Sequence, residues 1–352
     1  MPTSATFVNH SRDMKISKTQ LVEIRKSQAA KNITKRPTVS AIEDMLHEPV
    51  KVLDHGFVRI IDYMGNDDAI VQSARVSYGI GTKKVSDDRG LIRYLIRNKH
   101  TTPLEMCEIK FHIKLPIFVA RQWVRHRTAN INEYSARYSV LDREFYVPDA
   151  VYLDFINEMT KKDAKSNNID QLKMFSDQPK PSETGPQSTE NKQGRAGALD
   201  EEEAKDAVSK IQRMSLNAYK VYIGLLNDQA GNPVSHKKGL ARELARIVLP
   251  VNFYTQWYWK IDLHNLLHFL RLRLDSHAQY EIRMYAQAIA DITKQWVPIA
   301  WEAFEDYVQG GMTLSAPALA VVRRMLAGEA VEQAGSGLSP REWRELMAAL
   351  NG

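Results

Sequence analysis

The sequence predicts an α+β fold, an antiparallel sheet with helices in separate blocks, on three observations. First, "CEIKFHIKL" at 107–115 alternates strictly: Cys107, Ile109, Phe111, Ile113 and Leu115 fall on one face, and Glu108, Lys110, His112 and Lys114 on the other. A period of two marks a half-buried strand of an antiparallel sheet, since strands of a parallel sheet are apolar on both faces. Second, "NFYTQWYWKI" at 252–261 is rich in aromatic and β-branched residues and reads as another strand. Third, a long helical pattern, "LHNLLHFLRLRLDSHAQYEIRMYAQAIADITKQWV", follows that strand directly. Strands and helices therefore come in runs rather than in βαβ alternation.

Taken in order, residues 1–48 are polar and basic with no sustained period and read as an N-terminal extension. The core spans 49–309 and is interrupted at about 162–205, where Pro, Ser, Gln, Lys, Asp and Glu dominate. That composition is the signature of disorder, and a structureless stretch of this length inside a compact domain reads as an insertion. Pro116 opens a helix through "IFVARQWVRH", on which the spacing puts Gln122, Arg125 and His126 on one face. "ARELARIVLP" sets Arg242 and Arg246 on one helical face, with Pro250 as the stop. The pattern at 263–297 is expected to break near Asp275–Ser276, a natural cap pair. If the helix instead continued through Ser276, Arg273 and His277 would share a pocket. Residues 310–352 read as an appendage with a short helix, opened by a capping box of Ser339 and Glu342 with Pro340 at the first helical position.

Bulk properties bound the function. The 352 residues are 43% hydrophobic, enough to bury a full core, and the net charge is +6. This basic balance permits nucleic acid as a partner, but a site for phosphorylated small molecules also needs cations. The single cysteine, Cys107, rules out an internal disulfide and a thiolate zinc cluster. Its place on the apolar strand face makes it a core residue rather than a nucleophile. No apolar run approaches the ~20 residues of a membrane helix, and the N-terminus lacks the apolar region of a secretory signal. A soluble, cytoplasmic protein is expected.

Residues 121–139, "RQWVRHRTANINEYSARYS", carry Arg121, Arg125, Arg127 and Arg137 with His126 and no lysine, directly after the apolar "LPIFVA". Arginine is preferred where a planar fork grips phosphate or carboxylate, so this stretch reads as an anion site; the competing reading is a solvated face of surface ion pairs. A second arginine cluster, Arg242, Arg246 and Arg273, favours the site. His264 and His268 are four apart, but Asn265 stands where a zinc protease carries its glutamate, so a cofactor contact is the better use. "GIG" at 79–81 lacks the third glycine and the strand–helix context of a dinucleotide fingerprint, so the fold is non-Rossmann.

"RHRTANINEYS" is an arginine–histidine–arginine triplet, seven residues, then serine. It resembles the signature of the flavin-dependent thymidylate synthases, as do "ARVSYG" at 74–79, "HTTPLEM" at 100–106, "PIFVARQWVRHR", "ARIVLP" at 245–250 and "LRLRLDSHAQYEIR" at 270–283, in family order. The resemblance covers about 50–158 and 206–308. It implies the flavin-dependent thymidylate synthase fold and reductive methylation of dUMP to dTMP. The one-carbon unit comes from 5,10-methylenetetrahydrofolate and the reducing equivalents from NADPH through FAD, in a homotetramer whose active sites are shared between subunits. It implies dUMP binding by Gln122, Arg125, Ser135, Arg137, Arg246 and Arg273, the last at the pyrimidine and catalytic. Ser77, Thr102, Arg125, His126, Arg127 and Glu133 match flavin positions, with Asp262, His264, His268 and His277. His100 and Tyr138 match the folate and nicotinamide side. No metal is implied. Two other functions stand beside this one: an arginine-rich nucleic-acid-binding protein, and a flavin-binding paralogue without turnover.

Overall fold

The computed structural model describes residues 36–76, 88–148, 201–226, 228–229, 232–233, 238–275 and 277–351. Ser77 and most of the expected insertion lie outside them. The chain enters through α1 (Ser40–Glu43), β1 (Pro49–Val52), β2 (Gly56–Met64), α2 (Asp67–Val76), α3 (Asp88–Arg97) and α4 (Thr102–Glu105). It continues through β3 (Glu108–Pro116), α5 (Ile117–Trp123), β4 (Asn130–Glu133), α6 (Glu201–Leu225) and the two-residue pair β5 (Asp228–Gln229) and β6 (Asn232–Pro233). There follow α7 (Arg242–Ala245), β7 (Tyr254–Asp262), α8 (Leu263–Arg273), α9 (Tyr280–Trp296), α10 (Pro298–Phe304), α11 (Ala316–Leu326) and α12 (Pro340–Asn351).

Five strands form one sheet in the order β1-β2-β3-β7-β4, and every pairing in it is antiparallel. The α+β expectation is met, in an arrangement unlike the parallel sheet of a doubly wound dinucleotide fold. The alternation of β3 sets the layers. Ile109, Phe111, Ile113 and Leu115 are buried, and their register partners on β7 include Ile261, Trp259 and Trp257, also buried. Onto this face pack Val119 and Trp123 of α5, Leu266 and Phe269 of α8, and Ile282, Tyr285 and Ile289 of α9. Trp123 stacks on Phe269 at 4.6 Å and meets Trp259 edge-on at 5.1 Å. Removing a ring from such a site costs about 3–5 kcal/mol. The other sheet face carries Lys110, His112, Gln256, Tyr258 and Lys260.

Four expectations need correction. The expected N-terminal extension contributes to the core: Ile42 of α1 is fully buried, and Tyr63 on β2 donates to Glu43 while accepting from the Val39 N–H. Helix α6 begins at Glu201, inside the stretch expected to be disordered. Its last turns dock on the body of the protein, where Tyr222 packs with Leu141, Ala245 and Phe253 in a second apolar cluster. Helix α5 ends at Trp123, so Gln122, Arg125 and His126 do not share a helical face; the His126 N–H bonds three residues back to the Trp123 carbonyl, tightening the chain into a turn. The tail holds two helices, α11 and α12, joined by a small core of Ala318, Val321, Leu338 and Leu346. The capping box itself is present: the Glu342 carboxylate accepts from the Ser339 N–H at 3.0 Å, and Ser339 Oγ accepts from the Glu342 N–H at 3.3 Å.

The break expected near Asp275 is present. Helix α8 stops at Arg273, and the Asp275 carboxylate accepts from the His277 N–H in a local turn before α9 starts. Arg273 and His277 therefore do not share a helical face. Among the described residues no helix is long and apolar enough to cross a membrane.

Candidate functional site

Strand β4 pairs with β7, with Glu133 opposite Trp257, and the Tyr134 N–H extends the ladder to the Gln256 carbonyl. Thr255 Oγ1 donates to the Glu133 carboxylate at 2.7 Å, fixing that side chain. Immediately after the strand, Ser135 turns the chain: its Oγ accepts from the Arg137 N–H at 3.3 Å and its carbonyl from the Tyr138 N–H at 3.1 Å. Serine suits this because its short hydroxyl can satisfy a nearby backbone donor. The turn carries Arg137 and Tyr138 to α7, where Arg137 pairs with Glu243 at 3.3 Å and Arg242 donates to the Tyr138 carbonyl at 2.6 Å.

Arg246 falls in a tight turn after α7 rather than on the same α-helix as Arg242, and its Nε donates to the Glu243 carbonyl at 3.2 Å. Leu249 leaves this turn in an extended conformation, as Pro250 requires of the residue before it. Between these pieces lies an open cavity of about 300 Å³ lined by Ile117, Glu133, Tyr134, Ser135, Ala136, Leu141, Arg246, Leu249, Tyr254 and Thr255. A hydroxyl and a guanidinium at an apolar-backed hollow can take an anion with an apolar body behind it.

The remaining candidates gather elsewhere in the chain, at the ends of α5 and α8. Arg273 Nε bonds to His126 Nε2 at 3.1 Å, and the His126 ring meets Phe269 edge-on at 4.9 Å and His268 at 6.3 Å. Burial first, then the charges of Arg273 and His268, push the His126 pKa down to about 4. Burial also lowers Arg273, and burial followed by Arg271 and His264 lowers His268. These side chains form an electropositive patch with neutral imidazoles in it, half-buried at His126 and Arg273 and exposed at His268. Gln122, half-buried at the end of α5, donates from Nε2 to Gln279.

Arg125 and Arg127 flank His126 with exposed side chains, and among the described residues their guanidiniums have no hydrogen-bond or ion-pair partner. Helix α4, with Thr102 at its start and His100 just before it, packs against α8. The His100 ring lies 5.6 Å from Tyr94. Asp262 is committed to capping α8, accepting from the Asn265 N–H at 2.9 Å and from its side-chain amide at 2.8 Å. His264 is half-buried and His268 exposed on that helix; His277 is exposed and bonded to Asp275. Among the described residues no three His, Cys, Asp or Glu side chains group to hold a metal.

Cys107 is fully buried, and burial, then the charge of Asp67, pushes its thiol up to about 12, the state of an inert core residue. Sequence reasoning missed Thr255, Glu243, Gln279 and Glu281. Only Glu281 left a trace: it is a carboxylate four residues before Tyr285, within the apolar stripe of α9.

A family model described as thymidylate synthase complementing protein matches residues 59–299. The chain belongs to that family. Curated relatives named flavin-dependent thymidylate synthase match most of the chain. That of Gluconobacter oxydans is 53% identical over 339 residues, 96% of this chain and 99% of the relative. That of Rickettsia bellii is 52% identical over 91% and 99% of the two chains, and that of Ruegeria pomeroyi 52% over 94% and 98%. Among solved structures, the UMP/dUMP methylase PolB from Streptomyces cacaoi bound with 5-Br dUMP is 30% identical, with a TM-score of 0.55 over 74% of this chain and 98% of that one. Family membership makes the protein an enzyme, a flavin-dependent thymidylate synthase of the methyltransferase type.

Proposed function

We propose that this enzyme converts dUMP, 5,10-methylenetetrahydrofolate and NADPH into dTMP, tetrahydrofolate and NADP, with FAD as its resident cofactor. The methylene carbon forms a bond to C5 of the pyrimidine, a hydride completes the methyl group, and the C5 proton leaves. The observation that carries the reading is the cavity that joins Ser135, the serine of the signature motif, to Arg246 of "ARIVLP". Two separate family blocks converge there on one hollow suited to a phosphate.

In this reading Ser135, Arg137 and Arg246 hold the 5′-phosphate with Gln122 and Arg125 as further contacts to dUMP. Ser135 serves in binding, since the contact its hydroxyl makes is with a backbone N–H and not with a base. Arg273 is the catalytic residue. Its half-buried guanidinium acts where water screens weakly, and it stabilises negative charge that develops on the pyrimidine.

The residues around His126 fit a flavin dinucleotide on this structure's own terms. Exposed forks at Arg125 and Arg127, without partners among the described residues, suit a pyrophosphate, and neutral imidazoles at His126 and His268 suit a planar ring. Bound there, FAD supplies the hydride relay between NADPH and the one-carbon unit. Thr102, Glu133, Asp262, His264 and His277, with Ser77, are the further flavin contacts, and His100 and Tyr138 flank the folate and nicotinamide side.

The residues assigned to dUMP lie in two parts of one chain: the cavity lining includes Ser135 and Arg246 but not Gln122, Arg125 or Arg273. A homotetramer with active sites shared between subunits, working in the cytoplasm, accounts for this division. Purification followed by visible absorption spectroscopy and a dTMP assay tests the whole. The expected result is a yellow protein bleached by NADPH that forms dTMP; a colourless protein that takes up no added FAD overturns it.

A further inference from the structure

Glu281 is a carboxylate with only 2% of its surface exposed, at the second position of α9. Gln279 Nε2 donates to its Oε2 at 2.8 Å, and the Tyr146 hydroxyl donates to its Oε1 at 3.3 Å. The carbonyl of Gln279 in turn accepts from Gln122 Nε2. We propose that Glu281 is a positioning residue: through Gln279 it turns the Gln122 amide so that Gln122 presents its carbonyl oxygen to the substrate. Gln122 then accepts a hydrogen bond from a donor on the nucleotide instead of giving one to its phosphate. This rests on the reading of dUMP as substrate.

The argument is one of hydrogen-bond polarity. Both Glu281 carboxyl oxygens accept, one from Gln279 and one from Tyr146, whereas an amide has one donating and one accepting end. With its NH₂ committed to Glu281, Gln279 can offer Gln122 only an acceptor, and Gln122 must answer with its own NH₂. Reversing the Gln122 amide would set two carbonyl oxygens against each other. Reversing both amides would set the Gln279 carbonyl against the Glu281 carboxylate where water cannot relieve the repulsion, so one polarity prevails. Gln122 Oε1 is then the end facing away from Gln279. A phosphate offers it nothing at neutral pH, but dUMP has two donors, the 3′-hydroxyl and the N3–H of the uracil.

Calorimetric titration of the flavin-loaded, full-length enzyme tests this with dUMP, its 2′,3′-dideoxy analogue, which lacks the hydroxyl, and dCMP, whose N3 is an acceptor. Loss of one neutral hydrogen bond corresponds to about three- to tenfold in affinity. Wild type should lose at least that factor with one of the two analogues. Glu281→Gln and Gln279→Leu should lose it with dUMP itself, discriminate less against that analogue, and change KM more than kcat. Gln279→Leu leaves the Tyr146–Glu281 bond in place and guards against a general loosening of α9. Wild type binding both analogues as well as dUMP, or variants that keep the full discrimination, would overturn the proposal. The side-chain amide ¹⁵N resonance of Gln122 without ligand is an independent readout: it should move in Glu281→Gln, and an unmoved signal overturns the relay. Wild type that binds no dUMP at all would instead overturn the substrate reading, with the amide signal still deciding the relay.

Discussion

Arg273 Nε donates a hydrogen bond to Nε2 of His126 across 3.1 Å. A guanidinium has no accepting atom, so His126 must accept there, which leaves its proton on Nδ1 and the ring neutral. Burial and the Arg273 charge together hold its pKa near 4. Arg273→Ala removes the charge while leaving most of the burial, so the His126 pKa should rise part of the way toward the ordinary 6.5. An NMR titration of the imidazole checks this; an unshifted midpoint would show that the contact carries no electrostatic coupling.

Two histidines share this depressed state, and their effect on stability has a definite sign. His112 on β3 also sits near 4, lowered by burial first and then by the Arg59 charge. Both rings take up protons in the unfolded chain below about 6.5 but resist doing so in the folded one. Their contribution is fully present above pH 6.5 and is lost as the pH falls toward 4. The thermal midpoint should therefore drop across that window, and His112→Gln should make the drop shallower. A midpoint that stays level from pH 6.5 to 4 would contradict it.

Ser135 and Arg273 should respond differently to truncation. Ser135→Ala removes one hydrogen bond to a charged group while the arginines still hold the anion, costing about 1.5–3 kcal/mol of dUMP binding with turnover surviving. Arg273→Ala should keep FAD and NADPH oxidation but lower dTMP formation by about 10²–10³. Flavin content, NADPH consumption and dTMP release measured side by side decide it. An inactive Ser135→Ala that still binds dUMP normally, with an active Arg273→Ala, would reverse the roles.

Cys107→Ala should leave dTMP formation intact. The thiol is fully buried, held protonated by its surroundings, and touches the Asn66 carbonyl at 3.5 Å. The expected penalty is a small cavity, about 1 kcal/mol in a denaturant melt. A folded variant without synthesis would restore the cysteine as a nucleophile.

The parts of this molecule that were legible in the sequence are those in which one strand or helix face meets the core. Strand β3 could be read because Ile109, Phe111 and Ile113 alternate with charges. Strand β4 could not: all four of its residues are exposed on the sheet edge, so no buried face imprints a period on "NINE". Ile42 belongs to a short apolar patch with Val39, Met45 and Leu46, too brief to show a period, and its burial depends on a sheet still to come. The site's motif residues were readable as types. Their company was not, since the Thr255 bond to Glu133 spans 122 positions and the Gln122 bond to Gln279 spans 157. The helical face expected for Gln122, Arg125 and His126 failed at a helix end, whereas the break expected near Asp275–Ser276 is present and separates Arg273 from His277. Gln122 lies on the helix and Arg125 and His126 beyond it, where spacing no longer maps to direction.

The aromatic packing under the α5–α8 junction also gives the enzyme an optical reporter. Trp123, Trp257 and Trp259 are buried together, and among the described residues their indole N–H groups have no hydrogen-bond partner. Indoles so shielded from water emit toward the blue. Trp123 stacks on Phe269, the same ring that His126 meets edge-on three residues further along, so a yellow chromophore seated beside His126 would lie within easy range for energy transfer. Loading the protein with flavin should quench this blue emission, and unfolding should shift it to the red. One emission spectrum thus reads both occupancy and packing, without any label added to the chain.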